Sequence, residues 1–212
     1  EEEKSFFRFF VACAATTLAI LVKLPAIIIA LPMLYMAWTK YGAMLLRKPR
    51  VWGFAGSSLL LPLIWYFQAH WLSLSHYPHH MFGSGAVETV SLDWYVNIVQ
   101  QALTSVATPV TSAAMLLGIC LPAQAKSDRL FHWWLVAILL FMIVAGQGHR
   151  HPWYLLPFVP VAAALAGYAC DFALSRIARP ARWKTLVLGL IFFSSLSYFW
   201  LVYLKPLYEP VA

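Results

Sequence analysis

The sequence predicts an all-α membrane protein, a polytopic bundle of about seven transmembrane helices with one further helix in the interface. Three observations lead there. Hydrophobic residues make up 62% of the 212 residues and charged ones only 11%, against about 45–50% and about 25% in soluble domains. Apolar runs recur to the C-terminus, so a cleaved secretory signal does not account for them. Lys and Arg crowd some connecting segments and are missing from others, as the positive-inside rule expects. The net charge of +7 is read through that asymmetry, so no nucleic-acid partner is implied.

The first apolar run, Phe6 to Trp38, is too long for one upright helix. Lys23-Leu24-Pro25 interrupts it. Proline breaks the helical ladder, and a lysine at the bilayer centre costs about 2.5–3.5 kcal/mol. A hairpin of two short helices turning at Lys23 avoids both penalties and is preferred over a single kinked helix. Lys40 to Arg50 carries Lys40, Arg47, Lys48 and Arg50 and no acid, and is expected to be a cytoplasmic loop. Val51 to about Gln68 is a third run with Pro62 inside and Trp65-Tyr66 as an interfacial belt. The loop from Ala69 to Asp93 has no Lys or Arg and is expected outside. Trp94 to Ser105 is apolar at helical spacing. It reads either as an interfacial helix or as the first turns of a long span.

The runs 102–121 and 130–145 then cross in turn, separated by Lys126 to Arg129. Residues 153–170 return to a basic loop at Arg176 to Lys184. Residues 185–204 cross once more. The basic loops fall on one side. Lys23, the histidine loop and a hinge at Gly146 to Pro157 fall on the other. No repeat or low-complexity linker divides the chain, so residues 1–212 read as a single transmembrane domain. It opens on Glu1-Glu2-Glu3 without an initiator Met, which suggests the later part of a longer protein. The three cysteines, Cys13, Cys120 and Cys170, form no CxxC pair and read as small core residues.

The non-cytoplasmic face would collect Lys23, His70, His76, His79, His80, Glu88, Asp93, His149, Arg150 and His151. Its cations suit a phosphate: arginine gives bidentate contacts and lysine a point charge. The plain alternative for Lys23 is a lysine snorkelling from a helix end. Glu88 and Asp93 read as loop acids or helix N-terminal charges. The histidine spacing matches no zinc pattern, so no metal site and no cofactor is expected. No phosphate-binding glycine loop of the soluble nucleotide folds is present.

Three elements, in order, resemble family 39 membrane glycosyltransferases, which include protein O-mannosyltransferases and lipid A aminoarabinose transferases. His151-Pro152-Trp153-Tyr154-Leu155-Leu156-Pro157-Phe158-Val159-Pro160 resembles their (K/H)-x-x-Y-L-L-P-x-x-P element. Ile20-Leu21-Val22-Lys23-Leu24-Pro25 is similar to their lysine–proline turn, with Leu24 where the family usually has Gly. Pro62-Leu63-Ile64-Trp65-Tyr66 resembles their P-W-Y segment. The resemblance implies a GT-C fold in a multi-pass protein, expected in a bacterial inner membrane. It also implies transfer of a sugar from a polyprenyl-phosphate donor to an acceptor glycan, lipid or protein on the non-cytoplasmic face. It carries a donor-phosphate role to Lys23 and, more loosely, to His149, Arg150 and His151. Tyr154, His79 and His80 become candidate donor or acceptor contacts. The family's catalytic aspartate lies in an early outer loop with no counterpart here, so no catalytic residue is assigned. Rival classes are a transporter and a non-catalytic lipid-phosphate-binding subunit.

Overall fold

The structure, a computed structural model, describes residues 2–76, 91–123, 128–145, 152–176 and 181–208. Its regular elements are helices: α1 (Glu2–Val22), α2 (Ala30–Tyr41), α3 (Pro49–His76), α4 (Leu92–Gln101), α5 (Pro109–Cys120), α6 (Arg129–Ala145), α7 (Phe158–Ser175), α8 (Ala181–Phe199) and the short α9 (Lys205–Tyr208). Tight 3-10 turns at Leu24–Ile29, Gly42–Arg47 and Pro152–Leu155 and wide π-helical turns at Ala102–Val106 and Trp200–Leu204 join or extend them. The chain forms two compact units. One is Glu1–Thr89 with Val136–Gly148; the other is Val90–Leu135 with His149–Ala212.

Among the described residues three helical stretches are long and apolar enough to cross a bilayer: Leu24–Arg47, Phe158–Ser175 and Arg182–Leu204. A sharply bent pair, Leu92–Val106 with Pro109–Cys120, makes a fourth if counted as one broken span. The chain is a helical membrane protein, but the described residues show three or four such spans and not the expected seven. Phe6–Val22 and Arg129–Val144 are apolar but short. The 28-residue α3 is long enough, yet Gly53, Gly56, Ser57, Ser58 and Gln68 dilute its apolar content. Apolar runs were counted as spans where the helices under them are too short, too polar or broken.

In the first unit α1 packs on α3. The Arg50 guanidinium lies 5.7 Å from the Phe9 ring centroid, and Phe9 meets Phe54 edge-on at 6.0 Å. Farther along, the Thr17 hydroxyl donates to the Ser58 carbonyl at 3.2 Å. Last, the Tyr66 hydroxyl donates to the Ile20 carbonyl at 2.9 Å. The contacts ascend both helices together, so α1 and α3 run parallel. Leu24–Arg47 must therefore carry the chain back between them, which places the turn at Lys23 and the segment at Lys40 at opposite ends of this unit. That agrees with a reversal at Lys23, although α1 takes α3 as its main partner.

The expected loop from Lys40 to Arg50 is instead helical. Gly42, at φ 55° and ψ −140°, adopts backbone that favours glycine and ends α2. The 3-10 turn Gly42–Arg47 follows, with Leu45 buried inside it. The Trp52 indole N–H donates to the Leu46 carbonyl at 3.0 Å and ties the turn to α3. Of the cysteines, Cys13 is buried, Cys170 half-buried and Cys120 exposed, so only the first is a core residue.

In the second unit α5 and α7 approach closely. A Cβ placed on Gly118 would come within 2.1 Å of the Leu165 carbonyl oxygen. Ser112, Met115 and Gly118 recur on the buried face of α5. Val161, Ala162, Leu165, Ala166 and Ala169 are buried on α7. Small residues let backbones meet where the hydrophobic effect gives no drive between helices in lipid. The Tyr168 hydroxyl donates to the Pro122 carbonyl and secures the chain leaving α5. Arg182–Leu204 buries none of its apolar window, as expected of a helix facing hydrocarbon.

Candidate functional site

Lys23 sits in the break the sequence anticipates. Its backbone is extended, φ −154° and ψ 113°, between the end of α1 and the 3-10 turn. Its N–H still closes the last ladder bond, to the Ala19 carbonyl at 3.1 Å. Its carbonyl accepts from Ala26 N–H at 2.9 Å and starts the next turn. Leu21 is left without its usual partner, because the residue four places on is Pro25, which has no N–H. The Tyr66 hydroxyl fills the gap. Besides its bond to Ile20, it donates to the Leu21 carbonyl at 3.3 Å.

The same arithmetic explains Thr17. Pro62 deprives the Ser58 carbonyl of its partner four residues on, and the Thr17 hydroxyl supplies one. Each proline thus opens a carbonyl on its own helix, and the neighbouring helix closes it. Tyr66 was assigned by sequence to the aromatic belt, and Thr17 was given no role. The signal was available: a proline inside an apolar run orphans the carbonyl four residues earlier, and in lipid such a group must find a partner.

Lys23 is exposed, at the end of a locally fixed helix. No Asp or Glu occurs between Glu3 and Glu88.

The second unit carries a different surface. α4 starts on a Ser91 cap whose hydroxyl accepts from Trp94 N–H at 3.3 Å. Asp93 lies in its first turn, the helix N-terminal charge anticipated for it. An open groove of about 420 Å³ runs along α4 and the following π-helical turn. It is lined by Trp94, Asn97, Ile98, Gln100, Gln101, Thr104 and Ser105. The lining is neutral: carboxamides, hydroxyls and one indole. Thr104 already donates to the Gln100 carbonyl at 2.8 Å. π-Helical turns are frequent at functional sites.

This helix does not run on as a straight span. It is bent by 111° from α5, and Thr108 makes the corner at φ 57° and ψ 150°, a region kept almost entirely for glycine. The Thr108 hydroxyl caps α5 by accepting from Thr111 N–H at 3.5 Å. It also lies 3.1 Å from the Thr111 hydroxyl and 3.3 Å from the Ser195 hydroxyl of α8. The Ser112 hydroxyl donates to the Leu103 carbonyl, which the π-helical turn displaces from the regular ladder. Neither the corner nor its hydroxyl cluster was anticipated, since threonine before proline reads only as a helix start.

Tyr154 is half-buried in the turn Pro152–Leu155. That turn packs against the π-helical turn beside the groove, but Tyr154 is not among the groove's lining residues. His79, His80, His149, Arg150 and His151 lie outside the described residues. His70 is exposed on α3. Among the described residues no cluster of His, Cys, Asp or Glu is arranged to hold a metal. No family model matches the chain, and neither the curated proteins nor the solved structures give a match.

Proposed function

We propose that the chain is the membrane-embedded part of a GT-C glycosyltransferase. It acts in a bacterial inner membrane, as a multi-pass protein, on a polyprenyl-phosphate-linked sugar at the non-cytoplasmic face. The reading rests first on Lys23. Its backbone is held extended at a helix break that the Tyr66 hydroxyl braces, and the residue is exposed. A preorganised cation of that kind stabilises the charge that collects on a phosphate leaving group. Arg150, His149 and His151 are the further candidate cations of this reading, and no catalytic residue is assigned. The α4 groove, taken by itself in the other unit, has a lining that suits a sugar. Its carboxamides and hydroxyls offer donors and acceptors, and its indole offers a flat apolar face.

The test is binding of undecaprenyl phosphate to the full 212-residue chain in detergent. A charged hydrogen bond is worth about 1.5–3 kcal/mol, so Lys23→Ala is expected to weaken binding about 10- to 100-fold. Unchanged affinity in both Lys23→Ala and Arg150→Ala ends the phosphate role.

One observation favours a transporter as the second reading. Transporters bind substrate at discontinuous helices, and the corner at Thr108 adds a second broken element to the one at Lys23. Sugar transfer in proteoliposomes without net flux of donor or sugar decides for the enzyme, and flux without transfer decides for the transporter.

A further inference from the structure

We infer that the C-terminal end of the Leu24–Arg47 stretch binds the anionic headgroup of a phospholipid, with Lys40 and Lys48 as its cationic contacts around Tyr41. The inference is independent of the activity proposed above. Lys40 lies in the last turn of α2, and Lys48 follows the 3-10 turn. Lys40 is next to Tyr41 in sequence, and the positive φ of Gly42 turns the chain so that Lys48 reaches the same ring. The Lys40 Nζ lies 5.3 Å and the Lys48 Nζ 5.8 Å from the Tyr41 ring centroid. The buried Leu45 and the Trp52–Leu46 bond hold the turn in place. Arg47 is exposed in the same turn.

Two ammonium groups gathered on one ring repel each other, and the ring alone does not neutralise them. Among the described residues neither lysine has an acidic partner, and the first unit offers no acid between Glu3 and Glu88. Among the described residues the chain supplies no counter-charge there, which leaves the place to an external anion. Its source follows from position. The cluster closes a stretch long and apolar enough to cross a bilayer, and Trp38 and Trp52, each 54% exposed, flank it. Exposed indoles of this kind sit at headgroup level. The anion present there in quantity is a lipid phosphate, which attracts basic residues next to a span.

Native mass spectrometry of the full chain tests this with dioleoyl phosphatidylglycerol, dioleoyl phosphatidylcholine and soluble glycerol 3-phosphate. Phosphatidylglycerol is expected to be retained over phosphatidylcholine, and the preference to fall about fivefold for each of Lys40→Gln and Lys48→Gln. Tyr41→Leu, which keeps both charges but removes their common ring, is expected to lower it as well. Arg182→Gln with Lys184→Gln, at the start of another basic helix, is expected to leave it unchanged. Lys40 is exposed and Lys48 half-buried, so Lys40→Gln reports even if Lys48→Gln misfolds. Equal retention of the two lipids overturns the inference. So does an equal loss in the Arg182/Lys184 control, which marks diffuse attraction, or glycerol 3-phosphate binding as tightly as the lipid, which marks a soluble anion site.

Discussion

Tyr66→Phe is the sharpest probe of how the Lys23 break is held. The change deletes one oxygen and leaves the ring. What is lost is a donor to the Ile20 carbonyl at 2.9 Å and, more weakly, to the Leu21 carbonyl at 3.3 Å. Leaving a buried acceptor unsatisfied costs about 1–3 kcal/mol. Hydrogen bonds between membrane helices average about 0.6 kcal/mol and reach about 1.7 kcal/mol. Ile20 is 3% exposed, so water does not readily replace the donor. A loss of about 1–2 kcal/mol in stability is expected, read by unfolding in a mixed-micelle titration. The decisive arm is Pro25→Ala. Alanine restores an N–H that can reach the Leu21 carbonyl, so the hydroxyl should matter less. Tyr66→Phe in the Pro25→Ala background is therefore expected to cost at least about 0.5 kcal/mol less than in the native chain. An equal cost in both backgrounds would refute the account of Tyr66 as the partner of a carbonyl orphaned by proline.

Further outcomes follow from the second unit. Gly118→Ala brings a methyl against the Leu165 carbonyl at 2.1 Å. Backbone on one side leaves little to yield, so a loss of about 1–3 kcal/mol is expected in the same titration, whereas Gly53→Ala, with open space around it, is expected to be neutral or slightly stabilising. Thr108→Gly relieves a strained corner worth about 1–3 kcal/mol but gives up a cap and the contact to Ser195. Thr108→Ala gives up the same bonds and keeps the strain. The glycine variant is thus expected to unfold at higher denaturant than the alanine variant, and the reverse order would remove strain from the description of this corner.

Much of the fold class was legible because hydrocarbon solubility is written in composition. The break at Lys23-Leu24-Pro25 was legible too, since a charge and a proline there leave a continuous span few options. The span count was not. Hydropathy along the chain does not separate a run that crosses a bilayer from one that stops short, as Phe6–Val22 does, or bends, as the chain does at Thr108. The segment Lys40 to Arg50 read as a loop because its charges were weighed as a topology signal alone. Their arrangement depends on Gly42 adopting positive φ, which a glycine permits and does not announce. At the candidate sites Lys23 and Tyr154 were named from sequence, while Tyr66, Asn97, Gln100, Gln101 and Thr108 were missed. Neutral polar residues on an amphipathic helix look like a solvated face until a groove gathers them.

Pro25 and Pro62 show why one proline ends a helix and another does not. Both remove a ladder bond, and both orphaned carbonyls gain a hydroxyl from the neighbouring helix. Loss of the bond therefore cannot be what separates them. The flanking residues differ. Pro62 follows Leu59-Leu60-Leu61, which gain nothing by leaving the bilayer interior, and α3 continues through it. Pro25 follows Lys23, whose ammonium lowers its free energy by reaching water or an anion. There the chain turns extended and reverses. The charge selects the break, the proline makes it inexpensive, and Tyr66 fixes its shape. A lysine placed this way has its backbone fixed at the break, which narrows the positions its ammonium can reach.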